Sequence, residues 1–432
     1  VTLRQQHRDD DFLELTLDGE LNQRNFDIRA VAGTWDALLA EKNVEYEFEG
    51  QLDTFHISSK GTIDDLLDPH RPSLTIAATG PDINDLLRLL KIEEGGSGDI
   101  DLTGSLKPVE GGPMALDIEG RLGQLSVDAS GSLSDLRSLE QFDVAMQASS
   151  PDLSRILALF GFEGVREAPF ALDLEASRQG RMLVVERAHL EFADAEFDVQ
   201  ARLPGFPAVD AGAARLEVRG SDFARLRELL QLPGAAEGPF SLGLELDSDD
   251  QGEEFLRIAL TSTLASVNAT GRITADIRYV GSELDFTLTS DSLARIGQAY
   301  GLPRLPDLPM TASGSLTVEE EAIRVRGPVS ADIDGTRLQI EGLIALAPRL
   351  EGSRLSLGIK TPDLANLVGM FAPSEQVPPL PIDVTGEVQL QGDRFRFNDA
   401  RGSLGQSSID ASGTLTLAER CLLYTSDAAD EC

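Results

Sequence analysis

The chain has 432 residues, with 37 lysines and arginines against 73 aspartates and glutamates, a net charge of −36. That balance excludes nucleic acid as a partner, because gripping phosphates takes a basic footprint, and it opposes broad adsorption to an anionic membrane surface. Hydrophobic residues make up 41% of the chain and aromatics only 5%, so the apolar surface is aliphatic, and no apolar run is long enough to span a bilayer.

Taken in chain order, the sequence repeats itself. A small residue followed two positions later by an aliphatic one falls at Gly61, Gly131, Ala201, Gly271, Gly342 and Gly413, at spacings of 70, 70, 70, 71 and 71 residues. A large apolar residue opening an amphipathic stretch falls at Ile83, Leu153, Phe223, Leu293 and Leu364, each 22 residues after its partner in the first series. A third series, Pro169, Pro239, Pro309 and Pro381, follows the second; the first unit has Asp99 there instead. Fixed periods of this kind mark stacked units sharing one continuous core. The register divides the chain into a partial N-terminal repeat at 1–60 and repeats at 61–130, 131–200, 201–270, 271–341 and 342–412. A truncated repeat begins at 413–419.

Around each small residue the sequence alternates with period two, which predicts a strand with one apolar and one wet face. One face carries Leu125, Val127, Ala129, Gly131 and Leu133, and in later copies Val199 and Ala201; Val267, Ala269, Gly271 and Ile273; Ile340 and Gly342; Ile409, Ala411 and Gly413. A glycine on such a face predicts the close approach of another backbone or of a ligand.

The second series predicts a helix of two to three turns, since Leu153, Ile156, Leu157 and Phe160 follow helical spacing, as do Ile83, Leu86, Leu87 and Leu90, and Leu364, Leu367, Val368 and Phe371. Ser150 and Thr361 read as N-caps, with Pro151 and Pro362 at the first helical position and Asp152 and Asp363 next, where negative charge suits the helix dipole. The remainder reads as strands joined by tight turns such as SRQG and QGD. Each unit is thus expected to hold four or five strands and one short helix. At about 4.8 Å per strand, six such units would span roughly 115–145 Å.

Signals of chemistry are weak. The four histidines, His7, His56, His70 and His189, show no metal-ligand spacing. DSDDQGEE, Asp247 to Glu254, lacks the calcium-loop glutamate, Ile258 standing in its place, and reads as a turn. Asp82, Asp152, Asp222 and Asp363 sit at helix starts. No nucleophile elbow or phosphate-binding loop occurs, and the sequon at Asn268 lies within a strand. No catalytic residue, cofactor or metal is therefore expected. Residues 420–432, RCLLYTSDAADEC, leave the register and read as a foreign tail; they hold both cysteines, Cys421 and Cys432.

SPDLSRILALFGF followed by APFALDL, TPDLANLVGMF followed by PPLPIDVTGEV, and the pair GRLGQLSVDASGSL and GSLGQSSIDASGTL resemble the AsmA-like family (AsmA/TamB type) of Gram-negative envelope proteins. The resemblance covers roughly residues 12 to 418 and rests on order and period; the fourth unit departs from it with Ser290, Asp291 and Ser292. It implies a mostly β fold: an elongated, curved tandem-repeat sheet forming a β-groove, with one short amphipathic helix per unit. It also implies a periplasmic protein held in the inner membrane by an N-terminal anchor missing from this sequence, which carries phospholipids toward the outer membrane. The sixteen apolar-face positions named above are the candidate groove lining for acyl chains. Two alternatives stay open at this stage: a closed core in which helices cover that face, and a scaffold for outer-membrane protein assembly that conducts no lipid.

Overall fold

The computed structural model describes residues 2–7, 12–21, 24–52, 54–67, 69–82, 98–135, 139–154, 167–192, 194–205, 212–229, 237–248, 253–274, 280–299, 306–333, 335–346, 352–365, 368, 379–391, 394–418 and 421–425. Twenty-six strands and three short helices form among these residues, so the fold is mostly β. The chain divides into two compact units, one of Val1–Val218 with Arg225–Leu232, the other of Arg219–Ala224 with Pro233–Cys432.

In the first unit, strands β1 (Thr2–His7) to β13 (Ala195–Leu203) form an open antiparallel sheet in which each strand pairs with the next in sequence. In the second unit, β15 (Phe240–Ser248) to β26 (Cys421–Thr425) do the same. The last of these strands lies in the segment that reads as foreign. A backbone ladder accepts almost any side chain, so leaving the repeat does not forbid a strand.

The small-residue series falls on β5 (Phe55–Asp65), β9 (Leu125–Leu133), β13, β17 (Ser266–Ile273), β21 (Thr336–Ala345) and β25 (Ser407–Ala418), which is every fourth strand. The 70-residue period is therefore four strands plus one long connection. Because strand direction alternates, connections after even-numbered strands all lie on one rim of a unit. The long connections follow β6 (Ser73–Gly80) and β10 (Gln141–Ser150) in the first unit, and β18 (Glu283–Ser290) and β22 (Arg354–Thr361) in the second. Each unit thus has one rim bearing lobes and one rim without them.

Two helices start on the expected anchors, at Phe223–Leu229 and Leu293–Ala299. Ser154, Leu364, Ala365 and Val368 are also helical, whereas the helix expected from Ile83, and Ile156, Leu157, Phe160, Leu367 and Phe371 of the other expected helices, lie outside the described residues. The expected capping needs correction. The Ser150 hydroxyl accepts from the Asp152 N–H (3.2 Å), and the Asp152 carboxylate accepts from the Ser154 N–H (2.9 Å). Thr361 and Asp363 repeat the pattern, with Asp363 accepting from the Ala365 N–H at 2.8 Å. The aspartate, two residues later than expected, is thus the cap. The hydroxyl forms a turn leading into it, and the proline between them precedes the helix. A six-residue helix at Trp35–Ala40, capped by the Thr34 side chain, has no counterpart in the repeat and was not expected.

One hydrogen bond explains the proline series. The anchor N–H donates to the carbonyl just before the proline in four copies: Leu153 to Ala168 (2.9 Å), Phe223 to Gly238 (2.8 Å), Leu293 to Leu308 (2.9 Å) and Leu364 to Leu380 (2.8 Å). Each of these four lobes is pinched at its base, and the proline then holds the chain extended as it enters the next strand. The exception at Asp99 is equally physical. Its carbonyl accepts the Gly123 N–H at 2.8 Å, as the Pro381 carbonyl accepts the Gly405 N–H at 2.8 Å. That role needs a carbonyl, not a proline ring.

Candidate functional site

Pairing register builds one apolar surface from the alternating strands. In the second unit a single row runs across eleven strands: Leu242, Leu260, Val267, Leu288, Ala312, Ala331, Leu338, Ile359, Val384, Gly402 and Ile409. A parallel row runs through Leu246, Leu256, Gly271, Leu284, Leu316, Val325, Gly342, Leu355, Val388, Phe397 and Gly413. Neither row holds a polar side chain. At about 4.8 Å per strand such a row is roughly 50 Å long, longer than the ~30 Å hydrocarbon core of a bilayer.

The first unit does the same less cleanly. Its central row passes through Phe48, Ser59, Ile76, Gly104, Ile118, Ala129, Met146, Leu174, Ala188 and Val199, with Ser59 as the polar break.

All sixteen candidate positions fall on this face. Leu125, Val127, Gly131, Val199, Ala201, Val267, Gly271, Ile273, Ile340, Gly342, Ile409 and Gly413 are half-buried, Ala129, Leu133 and Ala269 are buried, and Ala411 is exposed. Full burial is instead concentrated at the strand ends. Phe55, Ala78 and Ile100 cluster at the lobe-bearing rim of the first unit, and Leu106, Met114 and Leu133 at the opposite rim. Between them Ile76 keeps 38% exposure, as Ile359 keeps 37% in the second unit. A covered core would bury its middle first. Here burial is densest at the ends, with Ala129, Ala269, Val325 and Val388 among the buried positions in mid-strand, which describes a largely open floor between two packed rims.

The glycines bend this floor. A Cβ on Gly61, Gly131, Gly271 or Gly342 would come within 1.9–2.3 Å of a carbonyl oxygen of the following strand, that of Ser73, Asp143, Glu283 or Arg354 respectively. The offset is twelve residues each time, so the feature repeats with the fold. Gly120 and Gly402 meet the Asp101 and Asp383 carbonyls at 2.1 and 2.0 Å in the same way, from the preceding strand. Of the two expected causes, backbone approach is observed at these six glycines. The neighbouring strand folds toward the apolar side at these points, and a glycine kink of this kind gives a sheet local curvature. Gly413 differs, with nothing within 4 Å.

The opposite face is wet and charged. Arg187 reaches Asp173 (3.0 Å) and Glu175 (3.2 Å), and Arg257, seventy residues on, reaches Glu245 (3.2 Å) and Asp247 (2.9 Å). The hydrogen bonds that Arg257 donates to Glu245 and Asp247 raise its pKa above the usual value. The His189 Nδ1–H donates to the Asp198 carboxylate on the next strand at 2.7 Å, and that bond raises the imidazole pKa above its ordinary value. An open depression of about 860 Å³ lies on this polar face, lined by Asp101, Glu119, Asp128, Asp173, His189 and Glu191 among others. A twisted sheet is saddle-shaped, so each face is hollow along one diagonal. Carboxylates at this density make that hollow unfit for an acyl chain.

Glu254, at the end of the expected turn, has Ile273 as its register partner, which places it on the apolar face at the lobe-free rim. No group of three or more metal-ligating side chains occurs among the described residues, and no described helix is long and apolar enough to cross a membrane. The DSDDQGEE segment joins β15 to β16 (Glu254–Ser262), with Ser248 opposite Glu254, as a turn requires. No protein-family model, no curated protein and no solved structure matches this chain.

Proposed function

We propose that this chain is part of a non-enzymatic lipid-conducting bridge of the AsmA-like kind, whose apolar sheet face carries phospholipid acyl chains while the headgroups stay in water. In this reading it works in the periplasm, tied to the inner membrane by an anchor outside this sequence, and passes lipid toward the outer membrane.

The observation that carries the reading is the half-exposed apolar floor, continuous over eleven strands of the second unit without a polar side chain. An apolar face of this extent left uncovered on a soluble surface marks a binding site. Sliding needs no catalytic group. It needs a uniform aliphatic track without deep local wells, which a low aromatic content favours. The −36 charge and the carboxylate-studded outer face keep such a sheet soluble and separate from its neighbours.

The test is lipid transfer between donor and acceptor vesicles. Glu substitutions at Val127, Val267 or Ile409 are expected to abolish transfer while leaving the β circular-dichroism spectrum unchanged, because one buried charge blocks an apolar track. Normal transfer by those variants contradicts the reading. A lipid-free protein that crosslinks to one outer-membrane partner would favour the scaffold alternative instead.

A further inference from the structure

The apolar floor of the first unit is interrupted by a pair of hydroxyls, and the repeat shows that the interruption is local. On β4 (Lys42–Leu52), Tyr46 pairs in register with Gly61 of β5, and Phe48 with Ser59, so Tyr46 and Ser59 share the apolar face. Their hydroxyls stand 2.9 Å apart, in a hydrogen bond that either can donate. One of these residues lies two positions before the small residue of its copy, and the other directly across from it. Both positions are apolar in all five later copies, as at Leu116 and Ala129, Leu256 and Ala269, or Phe397 and Ala411.

The pair has one donor too many. Two hydroxyls carry two O–H groups. One is spent between them, and among the described residues neither hydroxyl bonds to anything else. Their register neighbours on this face, Ala32, Phe48, Gly61, Leu74 and Ile76, carry no side-chain acceptor. Both residues are half-buried, so the second O–H has only the space above the floor to donate into. Beneath a purely aliphatic chain it would lose its bond to water and gain nothing.

The pair also has a definite place across the floor. Val44 of the same strand is buried in the lobe-free rim. Tyr46 is the next position inward on that face, about 7 Å along the strand, and Ser59 lies in the central row. A diacyl lipid with its headgroup in water beyond this rim and its chains on the floor brings its glycerol esters to the same line. An ester carbonyl is a neutral acceptor at the boundary between water and acyl chain, whereas a phosphate would have to be drawn out of water to reach the pair.

We propose that Tyr46 and Ser59 form a docking station for the ester carbonyl of a diacyl glycerolipid, at which a carried lipid pauses. The hydroxyl hydrogen left over from the mutual bond goes to the carbonyl oxygen, and the aliphatic rows on either side hold the chains. This rests on the lipid-carrying function proposed above. One neutral hydrogen bond corresponds to a preference of about fivefold.

The experiment places a photo-reactive side chain at Ile76, beside Ser59, or at Met146, four strands further along the same row. The full chain is offered vesicles holding equal amounts of two phosphatidylcholines, alike in headgroup and chain length, one ester-linked and one ether-linked. The ether lipid keeps the phosphate and the chains but lacks the carbonyl oxygens. Adducts at Ile76 are expected to favour the ester lipid about fivefold, and those at Met146 to show a ratio near one. In the variant Tyr46→Phe/Ser59→Ala the ratio at Ile76 should also fall to near one. Removing both hydroxyls together leaves no orphan, so the fold and the total adduct yield should persist. Adducts in equal ratio at Ile76 and Met146 overturn the station and leave the groove standing. A preference at Ile76 that survives in the variant overturns it too, since it then arises elsewhere. Absence of adducts at both positions removes the station and the lipid-carrying function together.

Discussion

The two faces of β17 are built from the same eight residues and behave as different materials. Val267, Ala269 and Gly271 belong to rows that run unbroken through the second unit, whereas Asn268, Thr270 and Arg272 face water and pair only locally. The apolar side is constrained by what lies beside it, down to the backbone of the next strand. The polar side is constrained by solubility. Substitutions should therefore cost far more on one face than on the other, in a definite order.

The largest effect is expected at the glycine kinks. Gly271→Val puts a branched side chain where even a Cβ lies 1.9 Å from the Glu283 carbonyl. It should destabilise the second unit by about 3 kcal/mol or more, read as a lowered urea midpoint. Gly413→Ala on the same face meets nothing within 4 Å and should change little. Equal effects at both would break the claim that backbone approach, not strand composition, keeps the glycine.

Next come the lobe bases. The Asp222 carboxylate accepts from the Ala224 N–H (3.0 Å) and also from the Gly238 N–H (2.9 Å), closing both ends of the lobe. Asp222→Ala should cost about 1 kcal/mol, the usual loss of a helix cap, and should raise amide exchange at Gly238. Retained protection at Gly238 would show that the Phe223 N–H bond alone holds the lobe.

On the polar face the cost should be small. Arg257→Ala loses two exposed carboxylate contacts and is expected to shift stability by no more than about 0.5 kcal/mol. His189 gives the smallest signal. Its folded pKa is raised by the Asp198 bond, so the stability it contributes is complete below about pH 6.5 and is lost as pH rises through the folded value. A small stability decrement across that window, absent in His189→Gln, is the expected outcome of unfolding curves taken at several pH values.

Much of this was legible in the sequence because it is periodic. Alternation gave the strand faces, and the 70-residue spacing placed a small residue on every fourth strand. The signature pair GRLGQLSVDASGSL and GSLGQSSIDASGTL can now be read in detail. Gly120 and Gly402 meet a neighbouring backbone, while Gly123 and Gly405 take φ of +65° and +61° in two-residue turns. What stayed hidden depends on register between distant strands. Glu254 looked like one acid in a turn, and only its pairing with Ile273 puts it on the apolar face. Register shifts interrupt β12 (Met182–Phe192), β20 (Ala322–Ile333) and β24 (Arg394–Leu404) but leave β16 regular. Local propensity does not encode a feature that one repeat omits. The cap was misplaced for a nearer reason: Ser150 and Asp152 are both good caps, and only the hydrogen bonds rank them.

The central claim is that one face of these strands touches acyl chains and the other does not. Photo-reactive side chains placed singly at Val267, Leu338 and Ile409, and at their wet-face neighbours Asn268, Arg337 and Asp410, test it directly in the presence of radiolabelled phospholipid. Labelled adducts are expected at the first three positions and at none of the second three. Adducts of equal strength on both faces, or none on either, would contradict the account.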